Sequence, residues 1–312
     1  MTAFAFVFPG QGSQSVGMLD AWGDHPAVAA TLEEASAALG EDIGRLIHEG
    51  PKEQLDLTTN TQPVMLTAGI AAWRAWQAEG GAAPVAVAGH SLGEYTALVA
   101  AGVLTLADAL PLVRLRATAM QEAVPVGVGA MAAILGLDAQ AVRDGCQAAA
   151  QASGEVVEAV NFNDPKQTVI AGSKAGVDKA CEMLKAAGAK RALLLPVSAP
   201  FHSSLMKPAA ERLRVALEKV SLNPPAIPVV NNVDVATPAD AAAIRDALVR
   251  QAAGAVRWVE VVQSLKARGI THVIECGPGK VLSGMVKRID ADLVTGAIVD
   301  PALLAEVKGL LA

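Results

Sequence analysis

The hydrophobic positions of the chain follow two patterns: short runs of β-branched or aromatic residues, and longer alanine-rich stretches with helical spacing. The short runs predict buried strands at residues 4–8, 85–88, 227–231 and 272–275. The longer stretches predict helices at residues 27–38, 63–79, 94–101, 105–121 and 204–220. Strands that alternate with helices in this way are typical of an α/β protein built on a mostly parallel sheet.

Polar and proline positions predict where two of these helices begin. Thr61, two residues ahead of Pro63, predicts a cap followed by an N-terminal proline. Thr105 with Asp108 predicts a capped start for the next long helix, and Pro111 is expected to bend it. The helices at residues 27–38 and 63–79 are expected to cover the sheet.

Residues 128–197 differ from the rest, because the predicted elements are shorter and two strands follow one another directly. The predicted strands are at residues 130–136, 156–162, 167–171 and 191–197, and the predicted helices are at 139–150 and 175–187. This βαββαβ order is typical of a ferredoxin-like unit. We therefore predict a larger core formed by residues 1–127 and 198–312, with 128–197 inserted as a small subdomain that forms one wall of a ligand cleft.

The stretch from Val85 to Gly102 carries the clearest chemical signal, because a predicted strand and a predicted helix flank a Gly-His-Ser-Leu-Gly turn at residues 89–93. This arrangement is a nucleophile elbow, in which glycines allow a turn tight enough to hold Ser91 outward. The following helix begins directly behind the serine, so its free amides and the positive end of its dipole face any oxyanion formed there. The alternative is a small-residue turn that happens to contain serine, and the flanking elements favour the nucleophile.

Composition narrows the class of protein. Hydrophobic residues make up 52% of the chain, charged residues 18% and aromatic residues 3%, which favours helices packed on a small-residue sheet over a β-sandwich. The net charge of −6 argues against a nucleic-acid partner. No apolar run approaches the ~20 residues of a membrane helix, and Met1 to Gly10 lack the basic start of a secretory signal. Because Cys146, Cys181 and Cys276 are widely spaced, we expect no metal site and a cytoplasmic protein.

His202 is the candidate base for Ser91, because it lies in a loop between a predicted strand and a predicted helix. His90 adjoins the serine but is expected to face away from it. A loop histidine also serves as a capping or packing residue, and sequence alone leaves both roles open. No acidic residue stands out as the partner that orients the histidine in serine hydrolases.

Arg116 is the second candidate, because it projects from an apolar helix face that also carries Leu112 and Met120. Arg114 is expected to point toward solvent. A buried guanidinium needs an anion, which is either a protein carboxylate or a substrate. If Arg116 faces the same cleft as Ser91, the acyl group should carry a carboxylate.

Gln11 lies in the glycine-rich turn that follows the first predicted strand. The spacing of Gly10, Gly12 and Gly17 does not fit the Gly-x-Gly-x-x-Gly loop of dinucleotide-binding proteins. Open α/β sheets bind ligands at the carboxyl ends of their strands. The turn therefore either contributes a backbone amide to a site or is an ordinary turn.

Seven stretches follow one another along the chain in the order of a known family. They are Phe-Pro-Gly-Gln-Gly-Ser-Gln (8–14), Gly-His-Ser-Leu-Gly-Glu (89–94), the helix that bears Arg116, Asn-Phe-Asn (161–163), Phe-His (201–202), Asn-Asn-Val-Asp (231–234) and Glu-Cys-Gly-Pro-Gly-Lys (275–280). Together they resemble the malonyl-CoA:acyl carrier protein transacylases, a family of acyltransferases. The resemblance covers nearly the whole chain and implies an α/β-hydrolase-like core with a ferredoxin-like insertion, in agreement with the pattern of elements.

The resemblance also implies a role for each candidate residue. Ser91 would be the acylated nucleophile and His202 its base, with the imidazole oriented by the backbone carbonyl of Gln251. The backbone amides of Gln11 and Leu92 would form the oxyanion hole. These five residues would form one site for acyl transfer.

The implied reaction is ping-pong transfer of a malonyl group from malonyl-CoA to Ser91, and then to the phosphopantetheine thiol of acyl carrier protein. Arg116 would bind the free malonyl carboxylate through two hydrogen bonds. The pathway would be fatty-acid or polyketide synthesis. No cofactor is expected besides the coenzyme A of the substrate and the phosphopantetheine of the partner, and we expect a monomer with neither a nucleic-acid nor a membrane partner.

Two positions depart from the bacterial pattern of the family. Phe201 stands where several bacterial members have serine, so its ring, with Met120, is expected to limit the space beside the malonyl α-carbon and to disfavour methylmalonyl. Residues 252–254, Ala-Ala-Gly, replace bulkier residues, which leaves the direction of the Gln251 carbonyl open.

Two other functions remain as alternatives to acyl transfer. A serine hydrolase or thioesterase would use the same nucleophile, but the missing acid and a charged acyl group favour transfer over hydrolysis. A non-catalytic scaffold that binds carrier protein would retain the elbow without its chemistry.

Overall fold

The computed structural model describes residues 2–197 and 199–312. Met1 and Ser198, where the two segments of the larger core are predicted to begin, lie outside the described residues. The strands, in chain order, are β1 (Phe4–Phe8), β2 (Ala86–Gly89), β3 (Gly129–Leu135), β4 (Val157–Asp164), β5 (Gln167–Ser173), β6 (Arg191–Leu194), β7 (Val229–Val230), β8 (His272–Cys276) and β9 (Val294–Ile298). The helices are α1 (Pro26–Leu39), α2 (Ile43–Glu49), α3 (Lys52–Leu55), α4 (Thr58–Ala78), α5 (Gly93–Ala100), α6 (Leu106–Glu122), α7 (Ala139–Ser153), α8 (Lys174–Ala186), α9 (Lys207–Leu217), α10 (Ala241–Ala252), α11 (Trp258–Ala267), α12 (Val281–Ile289) and α13 (Pro301–Leu311).

Five parallel strands form the central sheet in the order β7-β2-β1-β8-β9. All five residues of β1 are buried, because helices cover both faces of the sheet, and this explains a continuous apolar run in place of alternation. Phe8 of β1 lies opposite Gly89 of β2, so the turns that follow these two strands meet at the carboxyl edge of the sheet. This contact brings the glycine-rich turn beside the predicted elbow.

The two faces of β1 pack against different helices. Phe6 packs edge-on against Trp73 and Trp76 of α4, and Phe4 packs against Trp76 as well. On the other face, Ala5 and Val7 belong to a buried cluster with side chains of α11 and α12. Burial of each aromatic ring stabilises the fold by roughly 1.5–3 kcal/mol, so α4 fixes the strand that leads into the glycine-rich turn.

The four remaining strands form an antiparallel sheet in the order β4-β5-β3-β6. Helices α7 and α8 cover one face, where Ile134 and Ile170 pack against Val142 and Leu184. The other face points toward the core, where Met131 and Val169 share a cluster with Met120 and Phe201.

The predicted fold class is confirmed: a mostly parallel α/β sheet carries an inserted sheet with the ferredoxin-like order β3-α7-β4-β5-α8-β6. The division of the chain into a core of residues 1–127 and 198–312 and a subdomain of residues 128–197 stays a prediction. Two strands are shorter than predicted, since β6 ends at Leu194 and β7 comprises only Val229–Val230.

The predicted start of α4 was wrong. The helix begins at Thr58, so Pro63 stands inside it and not at its first turn. The hydroxyl of Thr61 donates to the carbonyls of Leu55 and Leu57. Thr61 is therefore not a helix cap, because the side chain of a cap accepts a hydrogen bond from a backbone amide. Among the described helices, none combines the length and the apolar content that crossing a membrane requires.

Candidate active site

The turn between β2 and α5 has the geometry of a nucleophile elbow. Ser91 adopts a φ of 53°, a left-handed conformation that is strained for a residue with a side chain. A Cβ on Gly89 would lie 1.9 Å from the backbone of Gly93, and a Cβ on Gly93 would lie 2.0 Å from the carbonyl oxygen of Phe8. Both positions therefore require glycine, and the close approach of β1, β2 and α5 holds Ser91 outward.

Asn232, which follows β7, stabilises this strained turn from behind. Its side-chain oxygen accepts a hydrogen bond from the Ser91 amide at 2.7 Å, and its side-chain nitrogen donates to the Gly89 carbonyl at 2.7 Å. Asn232 is fully buried. Sequence reasoning gave this asparagine no role of its own beyond its place in a family motif.

Ser91 and His202, which are 111 residues apart in the chain, are in direct contact. The Ser91 Oγ lies 2.6 Å from the His202 Nε2. The other ring nitrogen, Nδ1, lies 3.0 Å from the backbone carbonyl oxygen of Gln251 and 3.2 Å from that of Gly254. Because carbonyls only accept, Nδ1 carries the proton and Nε2 is free to take the proton of the serine hydroxyl.

Two backbone carbonyls thus occupy the position that a carboxylate takes in serine hydrolases. The small residues at 252–254 do not turn the Gln251 carbonyl away from the ring, and they allow Gly254 to add a second acceptor. Burial first, and then the nearby charge of Arg116, lower the pKa of His202 to about 3. The ring is therefore neutral and able to accept a proton at neutral pH.

Arg116 lies on α6 with its guanidinium buried beside the nucleophile; the residue is only 2% exposed. Its Nη1 donates to the Gln62 Oε1 at 2.7 Å, and its Nη2 donates to the Gln251 Oε1 at 3.1 Å and to the Ser91 Oγ at 3.3 Å. These acceptors are all neutral, and within the described part of the chain the Nε atom has no hydrogen-bond partner. Arg114, by contrast, forms an ion pair with Glu41 at 2.6 Å.

The contacts of Arg116 decide between the two roles that its sequence position left open. Burial lowers its pKa, but a guanidinium remains protonated in proteins. A buried cation held by two amide oxygens lacks a directly bonded countercharge, and this is costly unless an anion binds. The geometry therefore favours a substrate carboxylate beside Ser91.

The predicted oxyanion residues are Gln11, in the glycine-rich turn, and Leu92, which follows Ser91 in the elbow. The amides of residues 91, 93 and 94 already donate to oxygen atoms of the protein. Within the described residues this leaves the amide of Leu92, at the start of α5, available to an oxygen of a ligand. Gln11 lies next to it because the glycine-rich turn packs on the elbow: a Cβ on Gly10 would lie 2.6 Å from the carbonyl oxygen of His90.

A cavity of ≈ 120 Å³ connects these groups, and its walls include Ser91, His202 and Arg116. Phe201 and Met120 also line it, and a role in acyl-group specificity requires this position. The remaining lining residues are Gln11, Gln62, His90, Leu92, Met131, Asn161, Leu195 and Val197.

A larger cavity of ≈ 660 Å³ extends between the core and the antiparallel sheet and shares five lining residues with the small one: Gln11, His90, Asn161, Leu195 and Val197. The arrangement offers a small chamber at the serine and a wide approach to it. His90 does not bond to Ser91: its Nε2 lies 2.8 Å from the Asn163 Oδ1.

The structure thus places every predicted site residue around one cavity or in contact with a residue that lines it. Sequence reasoning missed the side chains of Gln62, Gln251 and Glu94. Gln62 and Gln251 accept hydrogen bonds from Arg116, and Glu94 accepts one from Gln251. The sequence shows Gln62 and Gln251 only as polar residues in helices, and Glu94 only as the last residue of a family motif. Among the described residues, no group of three or more histidine, cysteine, aspartate or glutamate side chains is placed to hold a metal ion.

Comparison with known proteins shows where this chain belongs. The sequence model of the acyl transferase domain family matches residues 5–296. The malonyl CoA-acyl carrier protein transacylase of Salmonella typhimurium is 55% identical over 306 residues, which are 98% of each chain. The crystal structure of an acyl-carrier-protein S-malonyltransferase from Burkholderia pseudomallei superposes with a TM-score of 0.97 at 66% identity and covers 99% of this chain and 100% of that one.

A third relative was solved with a partner: a malonyl-transacylase in complex with a type II PKS acyl-carrier protein, at 50% identity and a TM-score of 0.97, covering 99% of this chain and 100% of that one. The resemblance inferred from the seven sequence motifs is therefore confirmed. The chain belongs to the acyl transferase family, with malonyl CoA-acyl carrier protein transacylases as its relatives.

Proposed function

We propose that this protein transfers a malonyl group from malonyl-CoA to the phosphopantetheine thiol of acyl carrier protein, in fatty-acid or polyketide synthesis. The observation that carries the proposal is the position of Arg116, a buried cation without a bonded carboxylate whose Nη2 lies 3.3 Å from the Ser91 Oγ. A malonyl group on Ser91 would place its free carboxylate within reach of this guanidinium. The names of the relatives support the same substrate and partner.

The first half-reaction forms the acyl-enzyme. The Nε2 of His202 takes the hydroxyl proton as the Ser91 Oγ attacks the thioester carbonyl. The amides of Leu92 and Gln11 stabilise the negative oxygen of the tetrahedral intermediate. When this intermediate collapses, the carbon–sulfur bond breaks and His202 returns the proton to the coenzyme A thiolate.

The second half-reaction repeats these steps in reverse with a different thiol. His202 takes the proton of the phosphopantetheine thiol, whose sulfur attacks the malonyl ester, and Ser91 leaves with the proton restored. The two carbonyls at Nδ1 keep the ring in the tautomer that both halves need. A thiol has a pKa of about 8.5 and bulk water one of about 15.7, so the imidazole deprotonates a thiol more readily than water, which supports transfer over hydrolysis.

The enzyme needs no cofactor of its own, since coenzyme A arrives with the substrate and phosphopantetheine arrives with the partner. The proposed site is complete within one chain, so a monomer would suffice for the reaction. We place the protein in the cytoplasm, in keeping with cysteines that are free in the structure.

The direct test of the proposal is an assay of products with malonyl-CoA and the thiol-bearing form of acyl carrier protein. Malonyl carrier protein and free coenzyme A should form in equal amounts. Release of free malonate in the absence of carrier protein, at the rate of coenzyme A release, would favour the thioesterase alternative.

Phe201 and Met120 carry the proposed selectivity for malonyl over methylmalonyl. Both line the cavity at the serine, and Phe201 adjoins the catalytic histidine. Exclusion of one methyl group by shape is worth about 1–3 kcal/mol. In a competition between the two thioesters, Phe201→Ser should raise the relative rate of methylmalonyl acylation by about tenfold, and equal discrimination by wild type and variant would remove Phe201 from the account.

A further inference from the structure

A buried hydrogen-bond network behind the site has no part in the reaction steps described above. Its members are Glu94 of α5, Gln251 of α10 and Asn232, and none is more than 2% exposed. A single oxygen of Glu94, Oε2, accepts from the backbone amide of Asn232 at 2.8 Å and from the side-chain amide nitrogen of Gln251 at 3.1 Å. Glu94 therefore joins two residues that each contact the elbow.

The orientation of the Gln251 amide decides what Arg116 meets. In the structure the Oε1 of Gln251 accepts from the Arg116 Nη2, and the Nε2 points the other way, toward Glu94 and the Ser91 carbonyl. If the amide were rotated by half a turn, it would present its NH₂ group to the guanidinium, and two donors would face each other. The acceptors that hold the Nε2 are the Ser91 carbonyl at 2.9 Å, the Glu94 Oε2 at 3.1 Å and the Asn232 Oδ1 at 3.5 Å, and they thus indirectly fix the position of Arg116.

We propose that Glu94 is a positioning residue for carboxylate recognition: by holding the Gln251 amide nitrogen, it directs the Gln251 oxygen at Arg116 and sets the guanidinium beside Ser91. The inference rests on the proposed function and deepens it, because it adds a residue that selects for a charged acyl group without touching the substrate. Glu94 and Arg116 are linked through one amide, and the same amide also donates to the Ser91 carbonyl at 2.9 Å.

The alternative role for Glu94 is that of a countercharge for Arg116. Burial raises the pKa of the Glu94 carboxyl more than the hydrogen bonds from Asn232 and Gln251 and the charge of Arg116 lower it, and the resulting pKa is about 7. An oxygen that accepts two N–H groups can do so in either protonation state when the proton is on the other oxygen. Positioning therefore depends on where the acceptor lies, and countercharge depends on ionisation.

Two conservative variants separate position from charge. Glu94→Asp keeps the charge but shortens the side chain, which withdraws the acceptor from the Gln251 amide. Glu94→Gln keeps an acceptor oxygen at the same reach but removes the charge. The readout is the rate of enzyme acylation by malonyl-CoA divided by the rate with acetyl-CoA, each followed by intact-protein mass spectrometry.

The proposal predicts that Glu94→Asp lowers the malonyl to acetyl ratio about tenfold, the effect expected from loss of one hydrogen bond in a charged network. Glu94→Gln should retain a ratio close to that of wild type. In the background of Gln251→Met, which removes the relay but keeps the backbone carbonyl at His202, Glu94→Asp should cause no further fall. Glu275→Asp is the matched control, because Glu275 is an equally buried carboxylate that accepts from the Ser283 amide and does not contact the site.

The positioning role would be overturned by an unchanged ratio in Glu94→Asp, by a lower ratio in Glu94→Gln than in Glu94→Asp, or by equal loss of both acyl groups. Failure of the proposed function has a different signature, since wild type itself would then not be acylated by malonyl-CoA. The inference is still tested in that case by crystal structures of wild type and Glu94→Asp. We expect the Gln251 Oε1 to Arg116 hydrogen bond, 3.1 Å in wild type, to be lost in the variant; an unchanged bond would contradict the inference.

Discussion

The two sheets of this protein contribute different things to the site. The parallel sheet and its helices supply the groups that react or carry charge: Ser91 after β2, Arg116 on α6, His202 before α9 and the Gln251 carbonyl on α10. The antiparallel sheet supplies only walls, through Met131 of β3, Asn161 of β4, and Leu195 and Val197 after β6. The core therefore determines the chemistry, and the inserted sheet determines the shape and the approach.

The difference has a physical origin. At the carboxyl edge of a parallel sheet, turns that are far apart in sequence lie side by side, so a strained serine, a helix start and a buried cation can meet. An antiparallel sheet alternates its side chains between two faces, and here one face is used by α7 and α8. Only the opposite face is left to line a cavity, and it does so mostly with apolar side chains.

Ser91→Ala should give the largest effect in the core. Removal of the nucleophile leaves binding and the oxyanion amides but no acyl-enzyme, so malonyl transfer should fall by roughly 10⁶-fold. The assay is formation of malonyl carrier protein, with unchanged thermal melting as evidence that the variant is folded. Transfer at the wild-type rate would support the non-catalytic scaffold and contradict the claim that the core supplies the reacting groups.

Arg116→Ala tests the charged half of the core. Loss of the partner of a buried carboxylate costs about 3 kcal/mol, so malonyl acylation should fall by roughly 150-fold while acetyl-CoA gains relative reactivity. Arg114→Ala is the matched control, because Arg114 lies on the same helix and pairs with Glu41 outside the site. A constant malonyl to acetyl ratio in Arg116→Ala would make this arginine structural.

Asn161→Ala tests the wall formed by the antiparallel sheet. The Oδ1 of Asn161 is buried at the boundary of the two cavities and has no hydrogen-bond partner among the described residues. Its loss should remove at most one hydrogen bond to the substrate, raising KM for malonyl-CoA by roughly fivefold with kcat nearly unchanged. A large fall in kcat would show that this sheet takes part in the chemistry.

The pH dependence should show the smallest effect, because His202 stays neutral. Its pKa, lowered by burial from the ordinary value of 6.5 to about 3, leaves the base available well below neutrality. The rate of acylation should therefore be nearly constant from about pH 8 to about pH 5 in pre-steady-state measurements. A fall with a midpoint near pH 6.5 would show that the imidazole titrates as in a solvated histidine.

The free energy of unfolding, unlike the rate of acylation, should depend on pH. The depressed pKa of His202 means that the unfolded state binds a proton more readily than the folded state below pH 6.5. Its contribution to the free energy of unfolding is fully present above that pH and decreases as the pH falls. As the pH falls from 6.5 to about 5, the melting temperature is thus expected to decrease while the acylation rate per folded molecule stays nearly constant.

Much of this arrangement could be predicted from the sequence, except for one helix start and the side chains that contact Arg116. The elbow at Ser91 and the βαββαβ order of the inserted sheet depend on local turn chemistry and periodicity, which sequence displays. The start of α4 was misplaced because Pro63 looks like a helix start, whereas the helix begins at Thr58 and its first turns are already buried at Thr58 and Thr61. The acceptors of Arg116 could not be found, because Gln62 and Gln251 are neutral residues 54 and 135 positions away.

The role of Glu94 was hidden for a related reason. It is part of the elbow motif, but its partners Asn232 and Gln251 come from the far end of the chain and were recognised only as family motifs or through a backbone carbonyl. Spacing along a helix shows which face a side chain occupies, and it does not show which atom of an amide faces a cation. Only the three-dimensional arrangement supplies that information.

The most direct test of the central claim is capture of the acyl-enzyme. Incubation with malonyl-CoA alone, followed by intact-mass measurement and peptide mapping, should find one malonyl group on the peptide that contains Ser91. Addition of thiol-bearing acyl carrier protein should then remove that group from the enzyme and yield malonyl carrier protein. No covalent malonyl group, a malonyl group on another residue, or its loss as free malonate before the carrier protein is added would contradict the account.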